Sequence, residues 1–277
     1  MRKIAFIFVF MSAVSGLWAD LESAKELLNN GKYGSAIKDF KSIANSGNIE
    51  AQFYLAYMNE VGMGIVQNYP EALHWYLKAA ESGNASAQYH LAIMYQEGKG
   101  IPVNVSEAIK WFTTAAEQGL AISQHMLALI YEDGKGVPQN LREAEKWYRK
   151  AAEMGYPKSQ LNLAMLYEKG INGVSIDKGE IINWYLKAAR QGDEEAQFNV
   201  GRMYEKGIGT STDYLEAVNW YRLSAEKDFP SGQGALGSMH YRGLGVPQAL
   251  TEGVRLFDEA ANKGDLQAMI NLGDAYF

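Results

Sequence analysis

Side chains that could carry out acid–base or metal chemistry are few in this chain of 277 residues. The four histidines lie far apart in sequence, and none belongs to a His-Glu-x-x-His pattern or another metal-ligand spacing. Cysteine is absent from the sequence. His240 occupies a position where other segments carry tyrosine, so we interpret it as a hydrogen-bonded packing residue. The sequence therefore predicts no metal site and no cofactor.

Two short matches suggest serine nucleophile chemistry. Ser35-Ala-Ile-Lys38 and Ser175-Ile-Asp-Lys178 place a lysine three residues after a serine, as penicillin-recognising enzymes do. Neither is accompanied by the Ser-Asp-Asn or Lys-Thr-Gly motifs that complete such a site, so we attribute both matches to chance. Glycine patterns that bind phosphates are also missing. We predict that the chain has no catalytic residue and is not an enzyme.

Tryptophan recurs along the chain with an almost constant spacing. Successive copies are separated by 36, 36, 37 and 36 residues, and such a period indicates a stack of repeated supersecondary units. A row of indoles could also stack on sugars or bases. Each tryptophan, however, shares its helix face with alanines, where a packing residue belongs. We therefore predict a structural core that contains Trp75, Trp111, Trp147, Trp184 and Trp220.

Each repeat has the pattern of two helices, which we name helix A and helix B. Helix A carries a small residue and a larger apolar residue four positions later, such as Ala87 and Leu91, and ends at a glycine such as Gly98. Helix B begins at an Asn or Asp followed by Glu three residues later, as at Asn104, which resembles a capping box. The sequence predicts an all-α solenoid of about 15 helices in hairpins of 36–37 residues.

The first residues predict export. A basic pair precedes a short apolar run, and small Ala19 comes before a cleavage site that would leave Asp20 first. The apolar run is shorter than the roughly 20 residues needed to span a bilayer. We predict four segments: a signal peptide (1–19), a degenerate capping repeat (20–48), six repeats (49–265) and a C-terminal capping helix (266–277).

The charge balance limits the classes of binding partner that the chain favours. The formal charge is −6, and cleavage would leave 24 basic against 32 acidic residues. An acidic chain is a poor match for nucleic acid or an anionic membrane. We predict an exported monomer, periplasmic or secreted, that does not insert into a membrane after cleavage.

The repeat consensus resembles a known family. It reads Ala-Gln-x-x-Leu-Ala/Gly-x-Met-Tyr-x-x-Gly-x-Gly, then Asn-x-x-Glu-Ala-x-x-Trp-Tyr-x-Lys-Ala-Ala-x-x-Gly, and Arg142 to Gly155 shows the second half. This pattern, from Ile49 to Tyr276, resembles the Sel1-like repeat. The resemblance implies a right-handed superhelix of α-hairpins, related to tetratricopeptide repeats, that acts as an adaptor for other proteins. For an exported bacterial chain, the resemblance also implies a role in envelope maintenance or in host interaction, which would make the protein virulence-associated.

Three helix A positions change from copy to copy while the framework stays constant. Their offsets of 0, 3 and 7 place them on one helix face, for which we predict a groove. Its first half is apolar and its second half basic, which suits a protein or peptide segment. The alternative is that the apolar members are core. The candidate binding residues are Tyr54, Tyr57, His90, Ile93, Met126, Leu129, Lys169, Arg202, Lys206 and Arg242.

The functional hypothesis is a non-enzymatic scaffold or adaptor, in the cell envelope or secreted, that binds a protein or peptide along the concave helix A face. The alternative is a protein that binds cell-wall material or β-lactams, with weak hydrolase activity. The family's cysteine-rich branch, for which β-lactam binding has been proposed, carries a disulfide in each repeat, and this chain has no cysteine. A third hypothesis, a host-directed effector, differs in destination rather than in binding chemistry.

Overall fold

A computed structural model describes residues 20–171 and 176–276. The described residues contain fifteen helices, as the sequence predicts. The predicted signal peptide lies outside them. The helices are α1 (described over 20–29), α2 (Tyr33–Asn45), α3 (Ile49–Val61), α4 (Tyr69–Glu81), α5 (Ala85–Glu97), α6 (Val105–Glu117), α7 (Ala121–Asp133), α8 (Leu141–Glu153), α9 (Pro157–Lys169), α10 (Lys178–Arg190), α11 (Glu194–Lys206), α12 (Tyr214–Glu226), α13 (Pro230–Arg242), α14 (Leu250–Asn262) and α15 (Leu266–Tyr276).

The helices form consecutive hairpins within two compact units, and the boundary between the units follows Leu127, inside α7. From α3 onward, helix A elements are odd-numbered and helix B elements are even-numbered. In the N-terminal unit, the helices from α2 to α6 each pack on the next helix along the chain. In the C-terminal unit, the same holds from α8 to α15, and α13 also contacts the neighbouring helix A elements α11 and α15. Packing restricted to near neighbours is typical of a solenoid, so the predicted fold class is confirmed.

An Asn or Asp side chain caps four of the six helix B elements, but the predicted capping box is only half present. The Asn68 side chain accepts a hydrogen bond from the backbone N–H of Glu71. The Glu71 carboxylate does not complete the box and instead accepts from the Trp75 indole N–H at 3.0 Å. The Asn68 N–H already donates to the Asn59 carbonyl of the preceding helix A at 2.9 Å, so it needs no second acceptor.

Asp177 departs from the predicted cap. The other helix B caps in the described part of the chain that bond through their side chains have φ near −144°, as at Asn104. Asp177 has φ −65° and ψ 129°, and its side chain makes no capping hydrogen bond. Asp177 follows the A–B loop of the fourth repeat, which in the sequence is one residue longer than the A–B loops of the other five repeats. The extra residue changes how the chain enters α10, so the prediction of a side-chain cap at Asp177 is wrong.

The second glycine of the A–B loop holds one hairpin against the one before it. Gly64 has φ +75°, and a Cβ added there would lie 2.6 Å from the backbone carbon of Tyr33, the first residue of α2. Gly245 has φ +69°, and its Cβ would lie 2.3 Å from the carbonyl oxygen of Tyr214, the first residue of α12. Only glycine combines a left-handed backbone with this close approach.

Glutamines near the start of helix A also join adjacent hairpins. Gln88 donates to the Ala80 carbonyl of the preceding hairpin at 3.0 Å and accepts from Gln118, the residue that follows α6 in its own hairpin, at 2.7 Å. In the C-terminal unit, Gln160 accepts from Gln191 in the same way, at 2.8 Å. Gln88 and Gln160 are buried, so the bonds satisfy amide groups that water cannot reach, whereas Gln118 and Gln191 are exposed. These hydrogen bonds explain why glutamine follows the small residue in the repeat consensus.

Candidate protein-binding face

In the C-terminal unit, the variable helix A positions line two adjoining cavities. The larger has a volume of about 480 Å³ and the smaller about 320 Å³. Phe198 and Ser231 line both, so the cavities lie next to each other, and we name the pair the C-terminal groove. The variable positions that line it are Met165, Lys169, Asn199, Arg202, Lys206, Ala235, Ser238, Arg242 and Asn271.

Four helix A elements supply these side chains: α9, α11, α13 and α15. Arg202 and Lys206 are four residues apart on α11 and therefore share one face of that helix. The groove contains the candidates Lys169, Arg202, Lys206 and Arg242, so the structure brings the predicted basic residues together.

In the N-terminal unit, the apolar candidates are half-buried. Tyr54 stacks on Phe40 with ring centres 5.0 Å apart. Tyr57 meets the His90 ring edge-on at 5.8 Å, and His90 stacks on buried Tyr76 at 5.2 Å. These side chains therefore pack against the core and also reach the surface. Ile93 and Met126 of the same unit are half-buried as well, and so is Leu129, which belongs to the C-terminal unit.

Chains of hydrogen bonds and ion pairs that sequence reasoning missed cross the helix A face. In the C-terminal unit, the hydroxyl of Tyr221 on helix B donates to Glu205 on helix A at 2.7 Å. The same carboxylate pairs with Arg242 of the next helix A at 3.4 Å. The corresponding chain in the N-terminal unit is Tyr76, Glu60 and His90. The other chains are Tyr148–Glu132–Lys169 and Tyr185–Glu168–Arg202.

These pairings change the interpretation of the basic candidates. Lys169, Arg202 and Arg242 each have a glutamate of the preceding hairpin as partner. Arg202 contacts both carboxylate oxygens of Glu168 at 2.7 Å. Lys206 is exposed and has no acidic partner among the described residues. Of the four basic candidates, Lys206 is therefore the one whose charge is left for a ligand.

The sequence carries a signal for these chains, because a tyrosine position on helix B and a glutamate position on helix A change together. Helix B carries tyrosine after its tryptophan wherever helix A carries the matching glutamate, as at Tyr221 and Glu205. The second repeat has Phe112 instead of tyrosine, and its glutamate position is occupied by Gln96. A phenylalanine cannot donate to a carboxylate, so the two positions change together.

Tyr221→Phe is expected to lower the free energy of unfolding by about 1–3 kcal/mol, because Glu205 loses a donor in a partly buried site. Urea unfolding followed by circular dichroism measures the loss. The matched variant Tyr221→Phe/Glu205→Gln reproduces the native Phe112–Gln96 combination and should regain part of the stability. Equal stability of Tyr221→Phe and the parent would contradict the assigned bond.

Acid is expected to weaken the N-terminal unit through Glu60. Burial opposes ionisation of Glu60, but hydrogen bonds from His90 and Tyr76 outweigh it and lower the pKa of this carboxyl below its ordinary value. A carboxyl with a lowered pKa stabilises the fold above its unfolded-state pKa and loses that contribution as the pH falls. Between pH 6 and pH 3, the parent should therefore lose more unfolding free energy than Glu60→Gln, measured by urea unfolding. Parallel losses in the two proteins would disprove the contribution.

The tryptophan positions are less uniform than the sequence suggests. Trp75, Trp147 and Trp184 are buried, whereas Trp111 and Trp220 are half-buried. A lysine ammonium covers the ring in several repeats, at 4.6 Å for Trp75 and 3.7 Å for Trp184. A covered ring face is not free to stack on a sugar or a base.

The described residues offer nothing that favours hydrolysis. Ser35 and Lys38 are both exposed on α2, and Ser175 lies outside the described residues. No group of three metal-ligating side chains occurs in the described part of the chain. None of the helices described in the structure has both the length and the apolar content required to cross a bilayer.

Comparison with known proteins decides the family. The sequence model of the Sel1 repeat matches six consecutive segments, which are residues 49–84, 85–120, 121–156, 157–193, 194–229 and 230–265. The chain belongs to the Sel1 repeat family. The framework described above, with its small residue, its loop glycines and its helix B tryptophan, is thus the framework of Sel1 repeats.

Solved structures agree with this assignment. A Sel1 repeat protein from Oxalobacter formigenes is 33% identical with a TM-score of 0.77, covering 88% of this chain and 99% of its own. A protective antigen of uropathogenic Escherichia coli strains, which displays an SLR fold, is 30% identical with a TM-score of 0.59 over 88% of this chain. The chain of 277 residues spans 60% of the length of the Escherichia coli antigen. No curated protein matches the sequence.

Family membership supports a general role. Sel1 repeat proteins generally mediate protein–protein interactions, and the family is typically a non-enzymatic scaffold. The six Sel1 repeats of this chain therefore suggest binding to other proteins.

Proposed function

We propose that the protein is a non-enzymatic adaptor that binds a segment of a partner protein along its helix A face. The observation that carries the proposal is the C-terminal groove. Nine of its twenty lining residues occupy the positions that vary among repeats, whereas framework positions such as Val200 and Met239 are buried. Constant buried positions maintain the scaffold, and variable exposed positions are free to select a ligand.

The groove has the composition of a site for polypeptide. Phe198 and Ala235 provide apolar surface, and Ser238 and Asn271 provide side chains that hydrogen-bond to peptide groups. Both cavities are open to solvent along the helix A face, so an extended or helical segment could enter without rearrangement of the scaffold.

We also propose an exported location, periplasmic or secreted. It rests on the pattern of residues 1–19, and the likeness to a protective antigen supports it. Cell fractionation followed by N-terminal sequencing tests this proposal. A mature protein that begins at Asp20 in the exported fraction is the expected result, and an unprocessed cytoplasmic chain would overturn it.

Site-directed crosslinking tests the binding face. A photo-reactive amino acid is placed at Ser238, which lines the larger cavity, and separately at Asn183, which is exposed on helix B of the same unit. Irradiation in native cells should give a partner crosslink from position 238 and none from position 183. The added variant Ala235→Arg, checked for folding by circular dichroism, should abolish the crosslink because the long side chain fills the cavity. Equal crosslinking from both positions would exclude the groove as the binding face.

A further inference from the structure

The C-terminal groove has charge of opposite sign at its two ends. The smaller cavity is lined by two acidic residues and one basic residue, Glu168, Glu195 and Lys169. The larger cavity is lined by three basic and two acidic residues, Arg202, Lys206, Arg242, Glu205 and Asp265. The smaller cavity therefore has a net negative lining and the larger a net positive one.

Most of these charges already have partners within the protein. Arg202 pairs with Glu168, Arg242 with Glu205, and Lys169 with Glu132. Asp265 accepts hydrogen bonds from the Ser231 hydroxyl at 2.7 Å and from the Ala268 N–H at the start of α15. These groups are satisfied whether or not a ligand is present.

Two groove charges form no ion pair and no side-chain hydrogen bond within the described part of the chain: the Glu195 carboxylate and the Lys206 ammonium. Glu195 is half-buried in the smaller cavity, and Lys206 is exposed at the larger one. Burial raises the pKa of Glu195 and the nearby Asp193 raises it further, whereas the Lys158 ammonium lowers it; the net shift is upward, so the negative charge is only partly compensated. Asp193 itself is engaged by Lys158 at 2.8 Å.

The two unpartnered charges lie on the same face of one helix. Glu195 and Lys206 are eleven residues apart on α11, which is about three turns, so their side chains project in nearly the same direction. Their separation along the helix axis is about 16 Å. Phe198 and Arg202 lie between them on this face and also line the groove.

We propose that the C-terminal groove selects a partner segment that carries one basic and one acidic side chain about 16 Å apart, with the basic group against Glu195 and the acidic group against Lys206. This inference rests on the proposed function, because it specifies the ligand of that groove. The distance corresponds to about five residues in an extended segment or about eleven in a helical one. Complementary charges fix the position of such a segment and penalise segments with like charges.

A displayed library of random peptides of about twelve residues, long enough for either spacing, tests the proposal. Selection is carried out on the mature parent, on Glu195→Lys and on Lys206→Glu. The matched controls are Lys178→Glu and Glu226→Lys, which change exposed charges on helix B elements of the same unit. All five proteins are first shown by circular dichroism to be folded.

The parent and both controls should enrich peptides with one basic and one acidic residue at the stated spacing. Glu195→Lys should instead enrich two acidic residues, and Lys206→Glu two basic residues. This pattern does not depend on the direction in which the peptide binds. A peptide selected on the parent should bind either groove variant about tenfold or more weakly, because one of its charges then meets a like charge.

Two other outcomes would overturn the inference in different ways. Enrichment of the same peptides by the parent and both groove variants would disprove the charge selection and leave peptide binding intact. Failure of every protein to enrich any peptide, together with no crosslink from position 238, would disprove the proposed function itself.

Discussion

Trp147→Ala is expected to lower the free energy of unfolding by about 3–5 kcal/mol, the cost of truncating a large buried aromatic side chain. Trp147 is only 6% exposed, and Lys146 and Lys150 lie over its ring at 5.5 and 4.2 Å. Because each hairpin of a solenoid is stabilised by its neighbours, the loss should spread to adjacent helices. Urea unfolding measures the free energy, and hydrogen exchange shows which helices lose protection.

Trp220→Ala is the matched control for Trp147→Ala. Trp220 occupies the same repeat position but is half-buried, and the residue three positions later is Leu223 rather than lysine. Its removal should cost clearly less. An unchanged unfolding curve for Trp147→Ala would show that the tryptophan row is not part of the core.

Gly245→Ala is expected to cost about 2–5 kcal/mol. The left-handed backbone at φ +69° penalises any Cβ by about 1–2 kcal/mol. The clash with the Tyr214 carbonyl, 2.3 Å from the new Cβ, should add about 1–3 kcal/mol, because a backbone atom cannot rotate away as a side chain can. Urea unfolding of the parent and the variant checks the total.

Gly264→Ala separates the two contributions. Gly264 has φ +91°, but a Cβ added there meets nothing within 4 Å, so this variant reports the backbone penalty alone. The excess loss in Gly245→Ala then measures the contact between hairpins. Equal losses in the two variants would show that the loop does not hold the hairpins together.

Helix number and hairpin order could be predicted because their signals are local and repeated. The start of helix B depends on an asparagine and an N–H three residues away, so one copy of the repeat contains all the information. Asp177 shows the limit of this reasoning. Its spacing to Glu180 fits the rule, but the inserted loop residue changes the backbone angles, and composition alone does not show that.

The charge pairing of the groove could not be predicted from one repeat. Glu205 and Arg242 are 37 residues apart and come together only because successive helix A elements lie side by side. The offsets of 0, 3 and 7 identified the helix face that contains Arg242 and Lys206. They did not show which of these two side chains has an acidic partner. Only the position of Glu205 distinguishes the engaged guanidinium from the ammonium without a partner.

The Tyr–Glu–cation chains have a consequence for how this protein can change over evolutionary time. Each chain takes its tyrosine and glutamate from one hairpin and its cation from the following one, and the same residue types serve at more than one junction. A hairpin with this tyrosine and glutamate can therefore join a following hairpin that offers a basic side chain on its helix A face. Recombination can insert or delete a whole hairpin and recreate a working junction in one step. The length of the binding face can thus change in steps of one hairpin. Point substitutions at the variable positions alter the ligand preference of that face independently.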